Sequence, residues 1–124
     1  MSAEPFLSVE SYVFISISKQ AGEFLGQLDA HERAQLVSAA ALLAKSLAVG
    51  RPCSRSERVK GTRVKVFELK ITPPGSRGPQ LRLLYFRERR QILVARGYRK
   101  KQPGLPAGEV ALAERAWREW REQR

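Results

Sequence analysis

Residues 59–101, VKGTRVKVFELKITPPGSRGPQLRLLYFRERRQILVARGYRKK, decide the fold. From Val64 to Ile71 the pattern alternates, with Phe67, Leu69 and Ile71 on one face and Val66, Glu68 and Lys70 on the other. Pro73 to Pro79 cannot continue a strand and reads as a hairpin loop. Leu81 to Arg87 alternates again, setting Leu81, Leu83 and Tyr85 against Arg82, Leu84 and Phe86. Glu88-Arg89-Arg90 then turns the chain into a further strand, Gln91 to Tyr98. Connections this short predict antiparallel neighbours.

On the N-terminal side, Arg51 to Gly61 is polar, basic and without periodicity, and reads as a loop. Residues 18–49 predict a helical hairpin. Ser18 caps a short first helix in which Ala21, Phe24, Leu25 and Leu28 share a face. Asp29 with Glu32 forms a capping-box start for a second helix, striped by Leu36, Ala40, Leu43 and Leu47 and stopped near Gly50. His31, in its first turn, reads as a solvated surface residue. Ser11 to Ile17 is a β-branched and aromatic first strand, and residues 1–10 are expected to be a loose lead-in. On the C-terminal side, 106–124 predicts a helix opened by Pro106. Val110, Ala113, Trp117 and Trp120 form its apolar stripe, read as core or interface, and Glu114 and Arg118 form an i,i+4 pair. The whole, residues 1–124, is an expected single α+β domain: an N-terminal strand, a helical hairpin packed on a mainly antiparallel twisted sheet, and a C-terminal helix.

The charge lies in the sheet. Between Arg51 and Lys101 there are 16 lysines and arginines against Glu57, Glu68 and Glu88, so this segment carries +13 while the chain carries +11. A balance of this kind points to a polyanionic partner through phosphate neutralisation. An anionic membrane is the rival, but it is usually met by a basic amphipathic helix, and these cations sit in strands and turns. No apolar run reaches the ~20 residues that span a bilayer. MSAEPFLSVES lacks the basic and apolar regions of a signal peptide. The lone Cys53 forms no internal disulfide, and with His31 alone it makes no zinc site. The chain therefore reads as cytoplasmic, free of metal and cofactor.

HExxH, CxxC, GxxxxGK[ST] and GxSxG motifs are absent. Lysine, arginine and tyrosine suffice, however, for cleavage of RNA by its own 2′-hydroxyl. That reaction needs a base, neutralisation of the phosphorane and an acid for the 5′-oxygen. Crowded cations lower one another's proton affinity, which suits a lysine to proton transfer, while the arginine fork suits two phosphate oxygens.

VFELKI, QLRLLYF and ILVARGYRKK, in that order and followed by a proline-started helix, resemble the RelE/ParE toxin superfamily, most closely its phage-related, HigB-like branch. The resemblance runs from Ser18 to about Trp120. It implies a small basic toxin that cuts mRNA in the ribosomal A site and is restrained by a cognate antitoxin, expected to be a helix-turn-helix protein. It places Arg82 on the scissile phosphate, Lys70 or Lys100 in proton transfer, and Tyr98 on a base. Lys60, Arg63, Lys65, Arg99 and Lys101 are implied as further RNA contacts. Glu68 and Tyr85 themselves read as scaffold, through a hydrogen bond or packing. The chain departs from the pattern in having no histidine near Arg96-Gly97 and in its long TPPGSRGPQ loop. Two alternatives stand beside the nuclease: a basic RNA- or ribosome-binding module that does not cut, and a ParE-like gyrase inhibitor.

Overall fold

In the computed structural model, which describes residues 5–123, the basic stretch forms the middle of a mixed sheet. The elements are β1 (Pro5–Val9), β2 (Tyr12–Ser16), α1 (Lys19–Gly26), α2 (Ala30–Ala48), β3 (Ser56–Arg58), β4 (Phe67–Lys70), β5 (Gln80–Glu88), β6 (Gln91–Lys100) and α3 (Ala107–Glu122). The strand order is β1-β2-β6-β5-β4-β3. Every pairing is antiparallel except β2 with β6, which is parallel. The expected α+β class, the antiparallel β4–β5–β6 meander and both helix caps are present. Ser18 Oγ accepts from the Ala21 amide at 3.0 Å, and Asp29 and Glu32 form the reciprocal capping box.

Four local expectations are corrected. Within the predicted lead-in, residues 5–9 form the edge strand β1, whose proline occupies the first position, where no ladder donor is required; residues 1–4 lie outside the description. The Arg51–Gly61 loop contains β3, a strand of Ser-Glu-Arg defined by backbone pairing to β4 rather than by apolar alternation. The strand foreseen from Val64 begins only at Phe67, because the Thr62 hydroxyl donates to the Val64 carbonyl at 2.6 Å and holds the preceding residues in a turn. The C-terminal helix runs to Glu122 and residue 124 is outside the description; its i,i+4 ion pair is Arg115–Glu119, 3.0 Å, rather than Glu114–Arg118.

The sheet is covered on both faces. On one face Phe14, Leu69, Ile71, Leu83 and Tyr85 pack against Ala21 and Leu28 and against the α2 stripe Leu36, Ala40 and Leu43. On the other face Val66, Leu84, Phe86 and Leu93 pack against Ala113, Ala116 and Trp117 of α3. Trp117 stacks on Phe86 with ring centroids 4.8 Å apart. Burying each such ring contributes on the order of 2–3 kcal/mol, which secures α3 to the sheet.

β2 stops at Ser16 while its neighbour β6 runs on to Lys100, so side chains satisfy the exposed β6 backbone. Ser18 Oγ donates to the Ala95 carbonyl at 2.6 Å, at the bulge where Leu84 faces Arg96 but Tyr85 faces Val94. The Gln20 amide bonds both the carbonyl and the N–H of Gly97, at 2.6 and 3.0 Å, as a neighbouring strand would. These contacts fix the β6 end that carries the last basic residues.

Candidate nucleic-acid interface

Strand alternation sorts the basic residues between the faces. Lys70 lies opposite Arg82, and Arg82 opposite Tyr98, across β4, β5 and β6. All three face the α3 side, beyond the start of that helix. Lys100, two residues after Tyr98, shares their face. Arg99 takes the other one. Its guanidinium meets Glu32 of α2 at 2.7 Å and lies 6.0 Å from the centroid of the Phe24 ring. Sequence adjacency therefore does not make Arg99, Lys100 and Lys101 one patch.

Two carboxylates organise the α3-side cluster. Glu57 of β3 and Glu68 of β4 are register partners and share this face. Lys70 Nζ donates to Glu57 Oε1 at 2.8 Å. This bond, followed by the fields of Lys70, Lys100 and Arg82, holds the Glu57 carboxyl below the usual carboxylate range. Glu68 is 7% exposed; one oxygen accepts from the Tyr98 hydroxyl and the other lies 3.9 Å from Arg82 Nε. At that distance the contact is ionic rather than a hydrogen bond. Arg82 Nε is buried and makes no hydrogen bond to the described residues, while Nη1 donates to the Leu81 carbonyl at 3.2 Å. A buried donor left unpaired is costly and is characteristic of sites that serve more than stability.

A cleft of about 310 Å³ opens beside this cluster, lined by Glu57, Arg58, Val59, Lys60, Glu68, Lys100, Gly104 and Leu105; Lys70 and Arg82 stand behind its wall, held to Glu57 and Glu68. Lys101 is exposed past the end of β6 and borders an adjoining hollow of about 390 Å³. Arg63 and Lys65 are exposed in the β3–β4 loop. His31 is exposed on α2. The structure thus brings Lys70, Arg82, Tyr98, Lys100 and Lys60 to one end of one face and sends Arg99 to the opposite face.

Tyr98 does not fit the stacking role expected for it. Its side chain is 8% exposed within the α3-side core, and its hydroxyl is committed to Glu68. Burial first, and then the Glu68 hydrogen bond, push its ionisation well above the ordinary tyrosine range. A ring so enclosed offers no face to a base. Tyr85 is scaffold, as expected: its hydroxyl bonds Ser56 Oγ at 2.6 Å, its ring stacks on Phe67, and burial pushes its ionisation up to about 12.

Two residues of the site escaped sequence reading. Glu57 is the single acid among Arg55, Arg58 and Lys60, and that isolation is the signal that it holds a particular cation. Arg55, 8% exposed, donates from Nε to the Lys70 carbonyl at 2.9 Å and from its terminal nitrogen to the Ile71 carbonyl. Its own carbonyl accepts from the Lys70 amide at 2.7 Å, so Arg55 fixes the backbone from which Lys70 projects. No model of a known protein family matches the chain, and no curated protein matches it.

Proposed function

We propose that the cleft binds an RNA phosphodiester and that the chain is a metal-independent endoribonuclease of the RelE-like, HigB-like toxin type, acting on ribosome-bound mRNA. The observation carrying this reading is the cross-strand row of Lys70 and Arg82, extended by Lys100 at one cleft wall, in which the buried Nε of Arg82 has no hydrogen-bond partner among the described residues.

In this reaction the 2′-oxygen attacks the adjacent phosphorus as its proton leaves. The P–O5′ bond then breaks and the 5′-oxygen takes up a proton, leaving a cyclic phosphate and a 5′-hydroxyl. Arg82 and Lys70, next to the cleft wall through Glu68 and Glu57, offset the charge that gathers on the phosphate oxygens in the transition state. Lys100, at the cleft wall, or Lys70 moves the proton. Arg82 stays charged throughout. Lys60 and Lys101, with Arg63 and Lys65, extend the contact to neighbouring phosphates. An antitoxin in this scheme covers the basic face with an acidic segment.

The Lys70–Glu57 ion pair favours a second reading, in which the cleft holds RNA without cutting it. A lysine engaged at 2.8 Å by a carboxylate is a binding cation first. Induced expression of wild type and Arg82→Ala, with growth scored and mRNA 5′ ends mapped, separates the readings. Growth arrest with new cuts, both lost in Arg82→Ala, supports the nuclease. Arrest without cuts moves the assignment to binding, or, if supercoiling by purified gyrase is blocked, to gyrase inhibition.

A further inference from the structure

The opposite end of the sheet carries a second group of arginines that this scheme leaves unused. β5 and β6 meet there in a two-residue turn, Arg89-Arg90, between the paired Glu88 and Gln91. Arg89 has φ 55, in the left-handed region where an L side chain crowds the backbone and turns of this length take glycine or asparagine. The chain thus places a cation where stability alone selects glycine, and local strain of this kind collects at functional surfaces.

The neighbours reinforce the charge. Arg87 and Arg89 are exposed, and no hydrogen bond or ion pair to a described residue holds either side chain. Arg90 is fixed: it donates to Ser11 Oγ at 2.7 Å and lies over the Tyr12 ring, 5.5 Å from the centroid. Parallel pairing of β2 with β6 brings the β1–β2 turn alongside, and Glu10 of that turn lines a cavity with Lys45 and Arg51 at the end of α2. The cations of this pole outnumber Glu10 and Glu88. Extended chain rises about 3.3 Å per residue, so Arg89 stands roughly 23 Å along β5 from Arg82.

We propose that this pole is a second phosphate-binding surface whose partner is the backbone of a folded RNA. The proposal rests on the reading of the cleft as an RNA site and adds a ligand class to it. A short single strand seated in the cleft does not reach the far pole. A duplex region carries closely spaced phosphates over the required span. The cations here come from a strand end, turns and a helix end rather than from the basic amphipathic helix by which a protein lies on an anionic membrane.

The test measures binding of two fluorescent RNAs, both 2′-O-methylated so that they are not cut. One is a hairpin of about 12 base pairs, long enough as an A-form duplex to span both surfaces. The other is a single strand of about three nucleotides, too short to span from the cleft to the turn. The proteins are wild type, Arg82→Ala, and the double variant Arg87→Ala/Arg89→Gly. The double variant is expected to bind the hairpin about tenfold more weakly at physiological salt, with a salt slope smaller by about 2, and to bind the single strand as wild type does. Its melting temperature should hold or rise, because glycine suits the turn, which separates lost contact from lost fold. Unchanged hairpin affinity and slope in the double variant overturn the second surface, and the cleft reading survives if Arg82→Ala still weakens the single strand. Loss of hairpin binding in the double variant with no effect of Arg82→Ala on the single strand keeps the second surface and removes the cleft reading. Wild type binding neither RNA overturns both. The same proteins are also assayed on phosphatidylserine–phosphatidylcholine vesicles, and a loss seen there but not with the hairpin assigns the pole to a membrane and overturns the proposal.

Discussion

The hydroxyl of Tyr98 on β6 donates to the buried carboxylate of Glu68 on β4, reaching across the intervening strand β5 beside Arg82. One polar contact thus ties the three central strands together on the face that carries the cleft. Removing the hydroxyl by Tyr98→Phe leaves a buried carboxylate oxygen without its donor and should cost about 1–3 kcal/mol. Urea unfolding of the two proteins measures this directly. A change smaller than the fitting error would mean that Arg82 alone sustains Glu68.

The same contact sets an alkaline limit. Tyr98 and Tyr85 both ionise above the ordinary value of 10.0 in the folded chain, Tyr85 at about 12. Below pH 10 the folded and unfolded chains both keep these protons, and the stabilisation is complete. Above it the unfolded chain releases protons that the folded chain retains, so stability falls as pH climbs from 10 towards 12. Unfolding midpoints across that range should decline, with tyrosinate absorbance appearing together with unfolding. Tyr98→Phe should flatten the decline. A midpoint independent of pH there would show that neither hydroxyl is held as described.

Gly97 is a packing requirement of the sheet. A Cβ built there would lie 2.2 Å from Cδ2 of Phe24, well inside any permitted contact. Gly97→Ala should therefore destabilise by about 1–3 kcal/mol through overpacking. Combining it with Phe24→Leu should recover part of that loss, since the ring is the obstacle. Thermal melts of the two single variants and the double variant form the cycle, and additive losses would rule out the contact as the cause.

What could be read in the sequence was whatever leaves a mark on side-chain type. The helical hairpin was legible because Ser18, Asp29 and Glu32 are cap residues at cap spacing. β4, β5 and β6 were legible because one or both of their faces are buried. β3 was not, because a three-residue edge strand of Ser56, Glu57 and Arg58 is held by its backbone and buries little. β1 was hidden by its shortness and by Pro5. Arg99, Lys100 and Lys101 were all expected at the RNA because charge was counted without strand parity, which sends Arg99 and Lys100 to opposite faces. Glu57 and Arg55 were missed together: both act through β3–β4 pairing, which no local pattern announces.

That parity makes Arg99 and Lys100 a natural comparison. The Arg99 guanidinium, and then the Asp29 backbone, hold the Glu32 carboxyl below its ordinary value. Lys100 faces the cleft. Lys100→Ala should weaken binding of a short RNA severalfold and reduce the salt slope by about 1, whereas Arg99→Ala should leave both nearly unchanged. Arg99→Ala should instead return the Glu32 titration, followed by carboxyl NMR, towards 4.5. The depressed value means that this pair supports the fold above the unfolded carboxyl range and loses that support as pH falls through the folded value. Equal losses of RNA affinity in the two variants would place Arg99 in the interface after all.

Glu57 competes with any phosphate for Lys70. The pair is partly exposed, with Lys70 30% and Glu57 65% accessible, so it contributes little to stability and yields readily to a stronger anion. Glu57→Gln removes the competing charge, leaves the β3 backbone pairing in place and frees the ammonium, so RNA affinity should rise about three- to tenfold and the salt slope should steepen by about 1. Because Lys70 holds the Glu57 carboxyl depressed, the wild-type pair stays intact at neutral pH and opens only in acid. Wild-type affinity should therefore approach that of Glu57→Gln as pH falls through the folded carboxyl value, while the variant shows no such change. An affinity that falls in Glu57→Gln would mean that the carboxylate positions Lys70 for the phosphate instead of masking it.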